Sequence, residues 1–157
     1  MSKHVPRSAN YLSTAVSLTL FLSVSSVGSL PGQTRDHFRG RLSILPVDFS
    51  TLGSISGNGT VTSELDGNTL TIDLKFNGLS SPATGVEIRN APRGRRGNVA
   101  LSFQAGVPRN IAGRFNQNVT LTNTQITELR AERYYIQLQT EDNPEGELRG
   151  WLLIRDE

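Results

Sequence analysis

From Thr69 to Phe76 the chain reads Thr-Leu-Thr-Ile-Asp-Leu-Lys-Phe, with every second residue apolar. Side chains two apart on an extended strand share a face. Leu70, Ile72, Leu74 and Phe76 can therefore enter a core while Thr71, Asp73 and Lys75 stay in water. A helix would scatter the same residues around its circumference. The period of two recurs at Gly59–Leu65, through Val61 and Leu65, and at Arg114–Thr122, through Phe115, Val119 and Leu121. It recurs again from Tyr134, where Tyr134, Ile136 and Leu138 suit a core and Tyr135, Gln137 and Gln139 a surface. Further strands are expected over Phe38–Leu45 and Gly85–Asn90, and over Asn98–Gln104 with Val99, Leu101 and Phe103 on one side. A last strand is expected over Glu147–Ile154, with Leu148, Leu152 and Ile154 together. Gly150 inside it predicts a bend or a close backbone approach.

Turn formers separate these runs. Asp66-Gly67-Asn68 predicts a hairpin, and Asp142-Asn143-Pro144-Glu145-Gly146 a turn between the last two strands. Val47–Gly57 and Val107–Gly113 suit loops. Only Thr124–Glu132 suits a short helix, capped by Thr124, with Ile126 and Leu129 on one side. About eight short strands and one short helix predict an all-β fold, an antiparallel Greek-key sandwich or barrel.

The 157-residue chain has no cysteine. It cannot be stapled by a disulfide, and thiol catalysis and thiolate metal sites are excluded. Lys3, His4 and Arg7 precede an apolar, Ser-rich run from Tyr11 to Val27, and small residues follow. That pattern predicts a secretory signal peptide over residues 1–28, a flexible segment over 29–37 and one β domain over 38–157. The expected location is secreted and extracellular, at a cell surface, or periplasmic in a bacterium. The whole chain carries 16 Lys and Arg against 14 Asp and Glu. Without Lys3 and Arg7 the balance is 14 against 14, so the domain has no overall pull toward nucleic acid or anionic membranes. Asn58-Gly59-Thr60 and Asn118-Val119-Thr120 are glycosylation sequons.

Two local features suggest binding. Arg93-Gly94-Arg95-Arg96-Gly97 puts Arg93, Arg95 and Arg96 on a Gly-hinged turn, where guanidinium forks could grip sulfated glycans, phosphate or a carboxylate surface. Glu87 and Arg89 share one strand face, with Gln137 and Gln139 expected nearby as a polar surface. Glu141, Asp142, Glu145 and Glu147 could be read as a Ca²⁺ site, but acids around a turn usually point apart into water. No Ser/His/Asp set is expected to assemble, because His37 is the only histidine outside the signal segment. No enzyme activity, metal or cofactor is expected.

The tail carries a family resemblance. Tyr134, Gln137, Gln139 and Thr140, followed by Asn143-Pro144-Glu145-Gly146-Glu147-Leu148-Arg149-Gly150, resembles the C-terminal signature of the CHRD domain. This module is named after chordin and is also found alone in secreted microbial proteins. Asn77-Gly78-Leu79-Ser80, Asn98-Val99-Ala100-Leu101 and the step from Leu129 to Tyr134 resemble further family segments, in the family's order. The similarity spans roughly Phe38 to Leu153. Family members usually carry His-x-His in the central strand and another His in the penultimate one. Here Glu87, Arg89 and Gln139 stand at those positions, so the resemblance implies a divergent member without that histidine cluster. It implies a non-catalytic extracellular module for protein or glycan. A self-assembling structural module is the alternative, and a metal enzyme like the copper–zinc superoxide dismutases is the least favoured reading.

Overall fold

The alternating segments pair into one antiparallel sheet. The computed structural model describes Met1 and residues 35–44 and 53–155. The chain divides into two compact units, Met1–Pro31 and Gly32–Glu157. The expected signal peptide lies outside the described residues apart from Met1, as does the first half of the expected Val47–Gly57 loop.

The second unit contains β1 (Asp36–Ile44), β2 (Asn58–Asp66), β3 (Thr69–Asn77), β4 (Ala83–Asn90), β5 (Asn98–Phe103) and β6 (Gly113–Thr120). These are followed by α1 (Asn123–Arg130), β7 (Tyr134–Thr140), β8 (Leu148–Trp151) and β9 (Leu153–Ile154). The strand order is β5-β4-β7-β8-β1-β2-β3-β6, with β9 also on β1. The sheet curls into a half-barrel, so the expected all-β antiparallel fold with one short helix is the one present. Its inner face is the core. Phe38, Leu42, Val61, Leu70, Ile72, Leu74 and Phe115 meet Val86, Ile88, Ile136, Leu138 and Leu148 there. Burying one such side chain is worth about 1.5–3 kcal/mol, which lets a sheet without disulfides hold together.

β1 is the corner. Residues 36–42 pair with β2, whereas Ser43 and Ile44 pair with β8. The strands cross closely at that point: a β-carbon on Gly150 would stand 2.4 Å from the Arg41 carbonyl oxygen. This is the close approach that Gly150 predicted.

Several boundaries and faces differ from expectation. Thr122, not Thr124, caps the helix. Its hydroxyl accepts the Gln125 N–H, and the Gln125 side chain accepts the Thr122 N–H in return. That reciprocal pair satisfies two N-terminal donors, which a cap at Thr124 would leave open. The last expected strand is two strands, because Leu152 turns inward and its N–H donates to the Tyr134 carbonyl. Ile154 consequently ends 46% exposed. A register shift between Ile88 and Arg89 sends Val99 to the outer face opposite Arg89, while Leu101 stays opposite Ile88. β1 begins at Asp36, so His37 is a strand residue and not part of a flexible lead-in.

Candidate binding surface

On the outer face of β4, Glu87 and Arg89 stand two residues apart, and Arg89 Nε donates to Glu87 Oε2 at 2.7 Å. Strand register extends two rows from this pair. Glu87 lies opposite Gln137, which lies opposite Arg149; Arg89 lies opposite Tyr135, which lies opposite Trp151. The Tyr135 and Trp151 rings sit 5.0 Å apart. The Arg149 guanidinium lies 5.3 Å from the first ring and 4.9 Å from the second. A cation over two ring faces is attracted to both and shields them from water. The outer face of β7 is therefore covered at Tyr135.

That cover overturns part of the sequence reading. Tyr135 and Gln137 were expected at a surface, yet Tyr135 is fully buried and Gln137 is 2% exposed. Gln137 Nε2 donates to the Glu145 carbonyl at 3.0 Å. Gly146 packs so tightly on Gln137 that a β-carbon there would meet its Cδ at 2.6 Å. Gln137 is thus a support for the final turn. Gln139 lies one row further along, opposite Gly85, and is half-buried. Glu87 is 8% exposed and serves as the counter-ion of Arg89. Burial lowers the Arg89 pKa, but the Glu87 hydrogen bond and charge outweigh it, so the net shift is upward.

The basic turn rests on this framework. Arg89 Nη1 donates to the Gly97 carbonyl at 3.2 Å. The Gly97 N–H donates to the Tyr135 hydroxyl at 3.1 Å, and Trp151 Nε1 donates to the Ala91 carbonyl at 3.3 Å. Within the turn, the Arg95 N–H donates to the Pro92 carbonyl at 3.1 Å. Arg93 is ion-paired to Glu132, which also accepts the Ile154 N–H. Arg95 and Arg96 are exposed and have no acidic partner among the described residues.

Two features that are separate in the sequence are therefore one construction. Glu87, Arg89 and Arg93 hold the turn; Arg95 and Arg96 are presented by it. Tyr135, Arg149 and Trp151 were not singled out from the sequence, though they anchor the same assembly. The paired register of the last hairpin is the signal that could have found them, since it places Tyr135 beside the only tryptophan.

The acidic turn has a different role from the Ca²⁺ reading. Glu141, Asp142 and Glu145 point into solvent, but Glu147 is fully buried. Its Oε1 accepts the Ser56 and Ser80 N–H groups at 3.0 and 2.7 Å. Its Oε2 accepts the Ser80 and Thr140 hydroxyls at 2.9 and 2.7 Å and Asn143 Nδ2 at 3.4 Å. Five neutral donors converge on this carboxylate, and they tie three loops to the tail. Among the described residues no group of three or more His, Asp or Glu could hold a metal, and no helix is long and apolar enough to cross a membrane.

A family model described as CHRD domain matches residues 47–152. Neither a curated protein nor a solved structure matches the chain. β1 precedes the matched segment and β9 follows it. CHRD domains occur in extracellular proteins and are generally non-enzymatic modules. With about two thirds of its length matched, including the hairpin that carries the tail signature, the chain belongs to the CHRD domain family.

Proposed function

We propose that this protein is a non-catalytic extracellular binding module that grips an anionic glycan, or an acidic protein surface, with Arg95 and Arg96. One observation carries this reading. The turn bearing these two guanidinium groups, which have no acidic partner among the described residues, is held at both ends, by Arg89 and Tyr135 on one side and by Trp151 and Arg93 on the other. A pre-ordered cationic turn loses little entropy on binding, and its guanidinium forks need break no internal ion pair to meet sulfate or carboxylate. The residues that could have served a metal enzyme at the family's histidine positions form an Arg–Glu pair instead, and they offer no nucleophile-and-base arrangement.

The test is elution from immobilised heparin in a salt gradient. Arg95→Ala/Arg96→Ala is expected to elute at clearly lower salt than the parent protein, with an unchanged melting temperature. Identical elution would refute the assignment. A second reading, self-assembly, has one feature in its favour. The edge strand β5 carries no charged residue from Asn98 to Phe103 and exposes Val99 by 47%. Light scattering at high concentration separates the two, since a monomer rejects assembly.

A further inference from the structure

The outward face of β1 and the residue after β9 carry three arginines with no acidic partner among the described residues: Arg39, Arg41 and Arg155. The nearby acids are already engaged. Glu64 and Asp66 pair with Arg35 at 3.1 and 3.3 Å, and His37 Nδ1 stands 4.0 Å from Glu64. Asp73 takes a two-pronged contact from Arg114, at 2.7 and 2.6 Å. That hydrogen bond, then the charge of Asp73, raises the Arg114 pKa. Among the described residues, this face therefore carries an excess of arginines over unengaged acids.

Strand geometry brings the three together. Arg39 and Arg41 are two apart on one face of β1, about 7 Å from each other along the strand. Leu153 of β9 lies opposite Arg39, and the Arg155 N–H donates to the His37 carbonyl at 2.9 Å, which sets Arg155 beside them. The row from Arg41 continues through Thr60 to Lys75, which also has no acidic partner among the described residues.

Three open grooves run along this face. One of about 530 Å³ is lined by His37, Arg39, Thr62, Thr71 and Arg155 together with Glu64 and Asp73, the two acids held by Arg35 and Arg114. The next, about 560 Å³, shares Arg39 and Arg155 and adds Arg41 and Thr60. The third, about 490 Å³, shares Arg41 and Thr60 and adds Ser43 and Asn58. Shared residues join the three into one track.

We propose that this track binds a linear sulfated or carboxylated polysaccharide. Arg39, Arg41 and Arg155 would take the acid groups, and Thr60 and Thr62 the sugar hydroxyls. Guanidinium forks match sulfate and carboxylate bidentately, and these three meet no acid among the described residues. The floor is hydroxyl-rich strand surface. No exposed aromatic side chain lines it, so single-stranded nucleic acid lacks its stacking platform. A tight protein partner would lack the Trp or Tyr anchors that usually dominate such interfaces. The site is separate from the Arg95–Arg96 turn, and its three arginines lie outside residues 47–152, the segment matched by the family model.

The purified protein, with a heparin-derived hexasaccharide at low salt, tests this. Amide resonances of Arg39, Arg41, Thr60 and Thr62 are expected to shift. Arg39→Gln/Arg41→Gln, which changes exposed residues and keeps their polarity, is expected to weaken affinity at this site about tenfold or more. Arg155→Ala provides a second variant, at an exposed position just after β9. Arg95→Ala/Arg96→Ala should leave the groove shifts in place, so failure of the turn and failure of the groove are read separately. Unshifted groove amides, or unchanged affinity in both groove variants, would overturn the proposal. Equal affinity for polyglutamate of matched charge would also overturn it, by reassigning the groove to acidic protein.

Discussion

Ser80 donates both its backbone N–H and its hydroxyl to the carboxylate of Glu147, 67 residues away, at 2.7 and 2.9 Å. With Ser56, Thr140 and Asn143 completing the shell, one buried charge joins the segment after β3, the loop before β2 and the final turn. Removing the carboxylate leaves several donors facing an apolar gap. Glu147→Ala is expected to cost about 3 kcal/mol or more, since each abandoned buried donor costs about 1–3 kcal/mol. Glu147→Gln should cost less, because one oxygen remains and the hydroxyls can rotate. Urea unfolding of both variants checks the order; a loss below about 1 kcal/mol for Glu147→Ala would mean that water replaces the carboxylate.

Arg89 couples the outer face of β4 to the basic turn, through Glu87 at 2.7 Å and Gly97 at 3.2 Å. Arg89→Ala strands Glu87, which is almost wholly buried, and frees the Gly97 carbonyl. A destabilisation of about 1–3 kcal/mol is expected. Adding Glu87→Ala should recover part of it, because the stranded charge is gone. The double-mutant cycle measures this coupling directly. Additivity within about 0.3 kcal/mol would show that the pair is mere surface decoration.

Tyr134 is buried in the core, and its phenol pKa is raised, chiefly by that burial and further by the charge of Glu128. Above the ordinary tyrosine value of about 10, the unfolded chain loses this proton while the folded chain keeps it. The folded state then binds more protons, so stability falls as pH rises through that window. The contribution is fully present below pH ~10 and is lost at more alkaline pH. Tyr134→Phe should match the parent at neutral pH and show a shallower loss above pH ~10 in melting scans. Parallel curves for the two proteins would contradict the burial argument.

Much of the fold was legible in the chain. Period-two alternation and turn formers located the first seven strands to within about two residues but read β8 and β9 as one, and the inward sets Leu70–Phe76 and Val61–Leu65 are core residues. Gly150 announced the close crossing with β1. The tail motif pointed to the family. The candidate site was legible only in part. Arg95 and Arg96 were found as exposed cations, but Gln137 was misplaced and the anchoring roles of Tyr135 and Trp151 were not visible.

Alternation states which side of a ribbon a residue occupies and nothing about what lies over that side. Local sequence therefore determined the strands, their inward faces and the absence of a disulfide framework. Tertiary structure decided the rest, because cover and charge pairing depend on register between distant strands. Arg149, Trp151 and the turn after β4 close over Tyr135 and Gln137. Glu147 turns inward only because Ser56 and Ser80 arrive to meet it. Asp73 is claimed by Arg114 across the β3–β6 ladder, and Glu64 by Arg35, so Arg39 and Arg41 of β1 and Arg155 after β9 are left without an acidic partner among the described residues. A neutral count of charges could not reveal that, since Coulomb attraction at a surface acts over a few ångströms and is set by which groups become neighbours.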